Sequence, residues 1–183
     1  MARSARVQFP GAIYHISARG NHQENIYFSD RDRKLFLRLL ATAAKRMNWI
    51  CHAYCLMTNH YHLLLETPDG LLSTGMGYVN GVYTQRINRQ YGLSGHLLQG
   101  RFHSKLVEDN SQFLGAVRYI MRNPLDANIV EDAIDWPWSS YCTTIGFERP
   151  PDFLMVDQVL SLFATDRRIL SPLFPYSVKD RTV

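Results

Sequence analysis

The sequence predicts an α+β fold of β-α-β-β-α-β order followed by a further helix, on three observations. Short apolar runs rich in Ile, Tyr and Leu read as strands, apolar stripes at helical spacing lie between them, and Gly, Pro, Asn and Ser punctuate the joins.

The elements follow in order. Residues 11–19, Gly-Ala-Ile-Tyr-His-Ile-Ser-Ala-Arg, read as a first strand between the Pro10-Gly11 turn and Gly20-Asn21. Ser29-Asp30 offers an N-cap to a helix over 30–47, where Leu35, Leu39, Ala43 and Met47, flanked by Phe36 and Leu40, form one stripe. A second strand over 49–57 passes through Thr58-Asn59 into a third over 60–67. After the Pro68-Asp69-Gly70 turn, Leu72, Met76, Val79, Tyr83 and Ile87 mark a helix to about Gln90, capped by Ser73 or a neighbour. Gly75, Gly77 and Gly81 inside it each cost about 0.5–1 kcal/mol relative to alanine. Either another group approaches closely there or the helix is mobile.

A glycine-rich loop over 92–100 leads to a fourth strand over 101–108. Asn110-Ser111 caps a helix that carries Tyr119 and ends near Asn123, because a residue before proline is pushed out of the helical region. Beyond residue 125 come loops and short helices: Trp136-Pro137-Trp138-Ser139-Ser140-Tyr141, a break at Pro150-Pro151, and an amphipathic turn or two from Val156 to Phe163.

This order is the split βαβ arrangement of ferredoxin-like antiparallel sheets, with the first and third strands adjacent at the centre. Helices cover one face, which leaves the other open to the helix that carries Tyr119. Residues 1–146 are expected to form one domain, and 147–183 a C-terminal extension packed on it.

Composition limits the partners. In 183 residues, 46% hydrophobic and 20% charged, no apolar run approaches the ~20 residues that span a bilayer. No apolar stretch follows Arg3 and Arg6, so a cytoplasmic protein without a secretory signal is expected. Three cysteines are an odd count, Cys51 and Cys55 would lie roughly 13 Å apart on a strand, and no CxxC pair occurs. A disulfide framework or a cysteine zinc site is thereby disfavoured. A net charge of +4 mildly favours a polyanionic partner. Arg3, Arg6 and Arg19 crowd the start, while Arg86, Arg89, Arg101 and Lys105 gather around the middle loop.

The chemistry centres on two segments. A strand repeats every two residues, so His60 and His62 project from one face and could share a metal ion; strand-face histidines that are merely hydrogen-bonded are the plainer reading. Tyr119 and Asn123 stand at i and i+4 on a helix and point the same way. Were that helix to cross the sheet's open face, a phenol, an amide oxygen and two imidazoles would converge. A divalent cation on His60, His62 and Asn123 could polarise a phosphodiester, and the hard amide oxygen tilts the choice toward Mg²⁺ or Mn²⁺. Tyr119 would be the nucleophile; a tyrosine phenol free in water is neutral at pH 7, so the site must activate it.

These residues resemble a known family. His60-Tyr61-His62 matches the HUH motif (His, bulky hydrophobe, His), and the stretch from Tyr119 to Asn123-Pro124 is similar to the tyrosine helix of single-tyrosine HUH transposases. Residues 95–102 and Trp138-Ser139-Ser140-Tyr141 resemble the REP-associated tyrosine transposases, the likeness running from about Gly11 to Gly146. It implies a ferredoxin-like fold and cleavage and transfer of single-stranded DNA through a 5′-phosphotyrosine, often at hairpins of repeated extragenic palindromes. It also implies Tyr119 as nucleophile, His60 and His62 as metal ligands and Asn123 as the third. Residues 147–183 match less clearly, and both monomers and homodimers are consistent with the resemblance.

Arg19, Arg86, Arg89, Arg101 and His103 are the candidate contacts to single-stranded or hairpin DNA. Three alternatives compete. An RRM-like binder would need Tyr14, Tyr54 or Tyr61 facing outward. A hydrolytic nuclease would activate water and survive loss of the Tyr119 hydroxyl. A non-catalytic relative would bind hairpins and cut nothing.

Overall fold

The computed structural model describes residues 7–165, so Arg3 and Arg6 and the end of the C-terminal extension lie outside the described residues. Four strands, β1 (Ala12–Arg19), β2 (Ile50–Leu56), β3 (His60–Thr67) and β4 (His103–Val107), form one sheet in the order β2-β3-β1-β4. Every neighbouring pair is antiparallel, and β1 and β3 are central, as the sequence predicts. Helices α1 (Asp30–Arg46) and α2 (Leu72–Tyr91) pack on one face, and α3 (Asn110–Asp126) on the other.

Strand alternation sorts the side chains. Ala12, Tyr14 and Ile16 of β1 and Tyr61, Leu63 and Leu65 of β3 enter one core with Phe36, Leu40, Met76, Val79 and Tyr83 of the two helices. The Phe36 ring lies 4.7 Å from that of Tyr61 and 5.3 Å from that of Tyr83. Both phenols are satisfied, Tyr61 donating to Asn80 Oδ1 at 2.8 Å and Tyr83 to the Ile26 carbonyl at 2.6 Å. Each large side chain buried here contributes about 1.5–3 kcal/mol. On the opposite face Ala53, Cys55 and Leu64 meet Phe113, Val117, Ile120 and Met121 of α3, joined by Tyr141 of α4 (Tyr141–Thr144) and by Val159 and Phe163 of α5 (Asp157–Thr165).

The outer edge of β2 is covered. The Leu56 N–H donates to the Trp138 carbonyl and the Ser140 N–H to that of Tyr54, while Cys51 exchanges bonds with Phe153 and Met155. Such cover removes a template for edge-to-edge pairing. Cys51, Cys55 and Cys142 are buried free thiols. Among the described residues no helix is long and apolar enough to cross a membrane.

Several boundaries differ from expectation. Leu71, not Ser73, stands at the N-cap of α2, and the Ser73 N–H is met by Gln8 Oε1 at 2.7 Å. Asp109, rather than Asn110-Ser111, caps α3, its Oδ1 accepting from the Gln112 N–H at 2.8 Å. That helix runs through Pro124 to Asp126 instead of stopping at Asn123. Proline loses its own N–H bond and its ring crowds the carbonyl one turn back, but the burial of Asn123 and Pro124 with the Ala127 N–H returning to the Asn123 carbonyl holds the last turn. Gly75 is required because a Cβ there would meet the Trp49 ring, whereas at Gly77 and Gly81 it would meet nothing within 4 Å.

Candidate functional site

The antiparallel register builds the site. Arg19 lies opposite His60, Ser17 opposite His62 and His15 opposite Leu64, so His15, Ser17, Arg19, His60 and His62 share the face that α3 crosses. On β4, Lys105 pairs with His15 and His103 with Ser17, extending that face beyond the helix. Both are exposed, which leaves the β1–β4 half of the sheet open.

Four of the sequence-derived residues converge. Asn123, 8% exposed, places Oδ1 3.2 Å from His60 Nε2. One turn back Tyr119 is 48% exposed, with its ring 5.2 Å from that of His62. The His60 and His62 rings are 5.1 Å apart and nearly perpendicular. The i and i+4 spacing on α3 therefore delivers a phenol and an amide to the two strand histidines.

Hydrogen bonds fix the imidazoles. Asn59 donates its amide N–H to the Gln23 carbonyl at 2.8 Å, which turns its Oδ1 toward His60 Nδ1 at 2.7 Å. The Nδ1–H of His60 then donates, and Nε2 faces the Asn123 oxygen lone pair to lone pair, an arrangement that a cation between them would relieve. His62 Nδ1 stands 3.0 Å from His15 Nε2; with the Nδ1–H donating, its own Nε2 is free to ligate. Among the described residues no three His, Cys, Asp or Glu side chains gather around a point where a metal ion could sit. The donor set on offer is two imidazoles and one amide oxygen, which suits a divalent ion with open positions.

The site favours neutral imidazoles. Burial, with His15, His60 and Arg19 adding, lowers His62 to about 3. Burial, with His103 and Lys105, lowers His15 to about 4. His60 is likewise lowered by burial, partly offset by Asn123. Neutral nitrogens keep the lone pairs that metal binding needs.

His15 is the residue that sequence reasoning missed. Its ring lies 5.1 Å from His62 and 5.6 Å from Tyr119. It alternates with Ser17 and Arg19 along β1, yet only the register brings it beside His62. Of the candidate DNA contacts, Arg19 and His103 border the site, and Arg101 is exposed in the segment leading to β4. Arg86 and Arg89 are not brought there. They lie on α2, in the layer on the other side of the sheet, and line a cleft with α1. Tyr14, Tyr54 and Tyr61, which an RRM-like surface would expose, are 2%, 6% and 0% exposed. Tyr83 is buried with one hydrogen bond, whereas Tyr91 is 37% exposed and donates to Asp32 at 2.8 Å. Tyr141 is buried.

Comparison with known proteins agrees with this architecture. A protein of Haemophilus influenzae assigned to the REP-associated tyrosine transposases is 28% identical over 111 residues, or 55% of this chain. The matched stretch spans 63% of that relative's length. A solved structure of a REP-associated tyrosine transposase bound to a REP hairpin superposes with a TM-score of 0.70 at 18% identity, covering 86% of this chain and 93% of that one. That likeness establishes the shared fold. The family model for IS200-like transposases matches residues 8–123, from before β1 through Asn123. The chain belongs to the IS200-like transposase family, and it is similar in sequence and in fold to REP-associated tyrosine transposases.

Proposed function

We propose that this protein cleaves single-stranded DNA beside hairpins of repeated palindromes and transfers the strand through a 5′-phosphotyrosine at Tyr119. The observation that carries the reading is the position of Tyr119, half exposed on α3 beside His62 and one turn from the Asn123–His60 contact.

His60, His62 and Asn123 would hold a divalent cation, Mg²⁺ or Mn²⁺. When bound, such an ion polarises a phosphodiester oxygen and offsets the charge that develops on it. Asn59 and His15 orient the two imidazoles, a positioning role of the kind that second-layer partners play around metal ligands. Arg19 and Lys105 supply positive charge and His103 a hydrogen-bonding imidazole, along which a strand backbone can lie.

In the reaction the Tyr119 Oη bonds to phosphorus and the bond from phosphorus to the 3′ oxygen breaks. The phenol proton is released, and a proton ends on the departing 3′ oxygen. The ester preserves the energy of the cut bond, so a second DNA hydroxyl can take over the strand without a further energy source. Hydrolysis by water would discard that energy.

The test is a denaturing gel of the protein with 3′-labelled single-stranded oligonucleotides from palindromes flanking its gene, with Mg²⁺ or Mn²⁺. A labelled band carrying the mass of the protein, lost with EDTA and with Tyr119→Phe, is the expected result. Free cleavage products that persist in Tyr119→Phe would instead mean a water-activating nuclease. Binding without any cut would mean a hairpin-binding relative.

A further inference from the structure

Across the sheet, the antiparallel register sets His62 of β3 beside Ser17 of β1, and Ser17 beside His103 of β4. The three side chains leave the same face, and with neighbouring strands about 4.8 Å apart the His103 and His62 backbones stand roughly 10 Å from each other. Tyr119 enters from the β3 side of this gap, because α3 packs on β2 and β3, and its ring lies 5.2 Å from His62 and 5.6 Å from His15. The other imidazoles of this face are engaged: His60 with Asn59 and Asn123, and His62 and His15 with each other. His103 is exposed and makes no hydrogen bond, ion pair or ring contact with any described residue. It is nonetheless close to the site, since burial lowers the His15 pKa first and the charges of His103 and Lys105 add to that lowering. In an in-line displacement the departing oxygen lies on the side of phosphorus away from the attacking one. With Tyr119 attacking from the α3 side, that oxygen leaves toward β4.

We infer that His103 is the acid–base residue of the 3′ oxygen, protonating it as the strand is cut and taking the proton from the 3′ hydroxyl group that later receives the strand. The inference rests on the phosphotyrosine reading above and adds the residue that handles the leaving-group proton. In cleavage the bond from Tyr119 Oη to phosphorus forms, the bond from phosphorus to the 3′ oxygen breaks, and the His103 imidazolium gives its proton to that oxygen. In transfer a 3′ hydroxyl oxygen bonds to phosphorus and its proton passes to neutral His103. The bond from phosphorus to Oη breaks, and the phenolate regains a proton from water. One residue serves both directions because an imidazole gives and takes protons near neutral pH. The cations that share this face with His103 are Lys105 on its own strand and Arg19 on β1. Ammonium and guanidinium groups hold their protons too tightly for that exchange and suit phosphate contact instead.

The experiment uses the full-length protein and a 3′-labelled oligonucleotide carrying the cleavage junction mapped with wild-type protein. A second oligonucleotide is identical except that sulfur replaces the 3′ oxygen at that junction. A thiolate departs without a proton, so sulfur removes the need for an acid and leaves the other contacts of the strand in place. Single-turnover adduct formation is followed in Mn²⁺ for wild type, His103→Ala and His103→Gln. On the oxygen substrate both variants are expected to be slower by roughly 100-fold, the low end of what a positioned acid or base contributes. On the sulfur substrate both should come within about threefold of wild type, because the proton is no longer needed. Equal losses on the two substrates would overturn the inference, leaving His103 as a strand contact or a structural residue. An unchanged rate on the oxygen substrate would also overturn it, as would a glutamine variant as fast as wild type, since glutamine keeps a hydrogen-bonding side chain but cannot supply the proton. A wild-type adduct that is lost in Tyr119→Phe reports on the tyrosine chemistry by itself, whichever way the His103 comparison falls. Absence of any wild-type adduct on either substrate would overturn both readings together.

Discussion

The two faces of this sheet are built from alternate residues of the same strands, yet their environments diverge. On one, two helices cover the strands completely, and Tyr14 and Tyr61 are buried as hydrophobes despite their hydroxyl groups. On the other, one helix covers the β2–β3 half, and His15, His60 and His62 collect where its cover ends. Full cover converts amphipathic rings into core, whereas half cover leaves polar groups desolvated but reachable. The first condition makes the scaffold rigid. The second makes imidazoles that stay neutral and a phenol that meets solvent.

Perturbing the two faces should therefore have opposite signatures. Tyr119→Phe is expected to abolish the covalent adduct while leaving the urea midpoint unchanged, because the hydroxyl makes no packing contact that folding needs. Loss of stability in that variant would show that the open face is structural too. Phe36→Ala, between the Tyr61 and Tyr83 rings, is expected to destabilise by about 3–5 kcal/mol in urea melts.

Acid should act through the histidine face. His15 and His62 are held down to about 4 and about 3, while an unfolded histidine titrates near 6.5. The unfolded chain therefore takes up protons first as pH falls. Stability present above pH 6.5 is lost as pH drops toward 4 and then 3. Urea midpoints in EDTA at pH 7 and pH 5 should show the fall, and His15→Gln, which retains a hydrogen-bonding side chain opposite His62, should reduce it. A midpoint that does not move would break the argument that these imidazoles are desolvated.

The smallest contrast lies in one helix. Gly75→Ala drives a methyl group into the Trp49 ring and should cost about 1–3 kcal/mol. Gly77→Ala, two residues on, meets nothing and should stabilise by about 0.5–1 kcal/mol. Equal effects in thermal melts would mean that the helix shifts freely on the sheet.

Local stereochemistry was legible in the sequence because it repeats along the chain. A period of two placed His60 and His62 on one face, and a period of 3.6 put Tyr119 and Asn123 on one helix face. The strand and helix order followed from the same two periods and was enough to anticipate the central pairing of β1 and β3. The C-terminus of α3 was not legible, since the bias against helix before proline is local, and the burial of Asn123 against the sheet outweighs it.

What only the tertiary structure decided are meetings between segments far apart in sequence. The β1–β3 register, not any pattern near residue 15, sets His15 against His62. The packing of α2 on α1 takes Arg86 and Arg89 away from Tyr119 and gathers them with Arg31 and Arg38. Periodicity fixes the direction in which a side chain leaves its own element. Which partner it finds depends on how whole elements dock, and that is settled by burial summed over many residues at once.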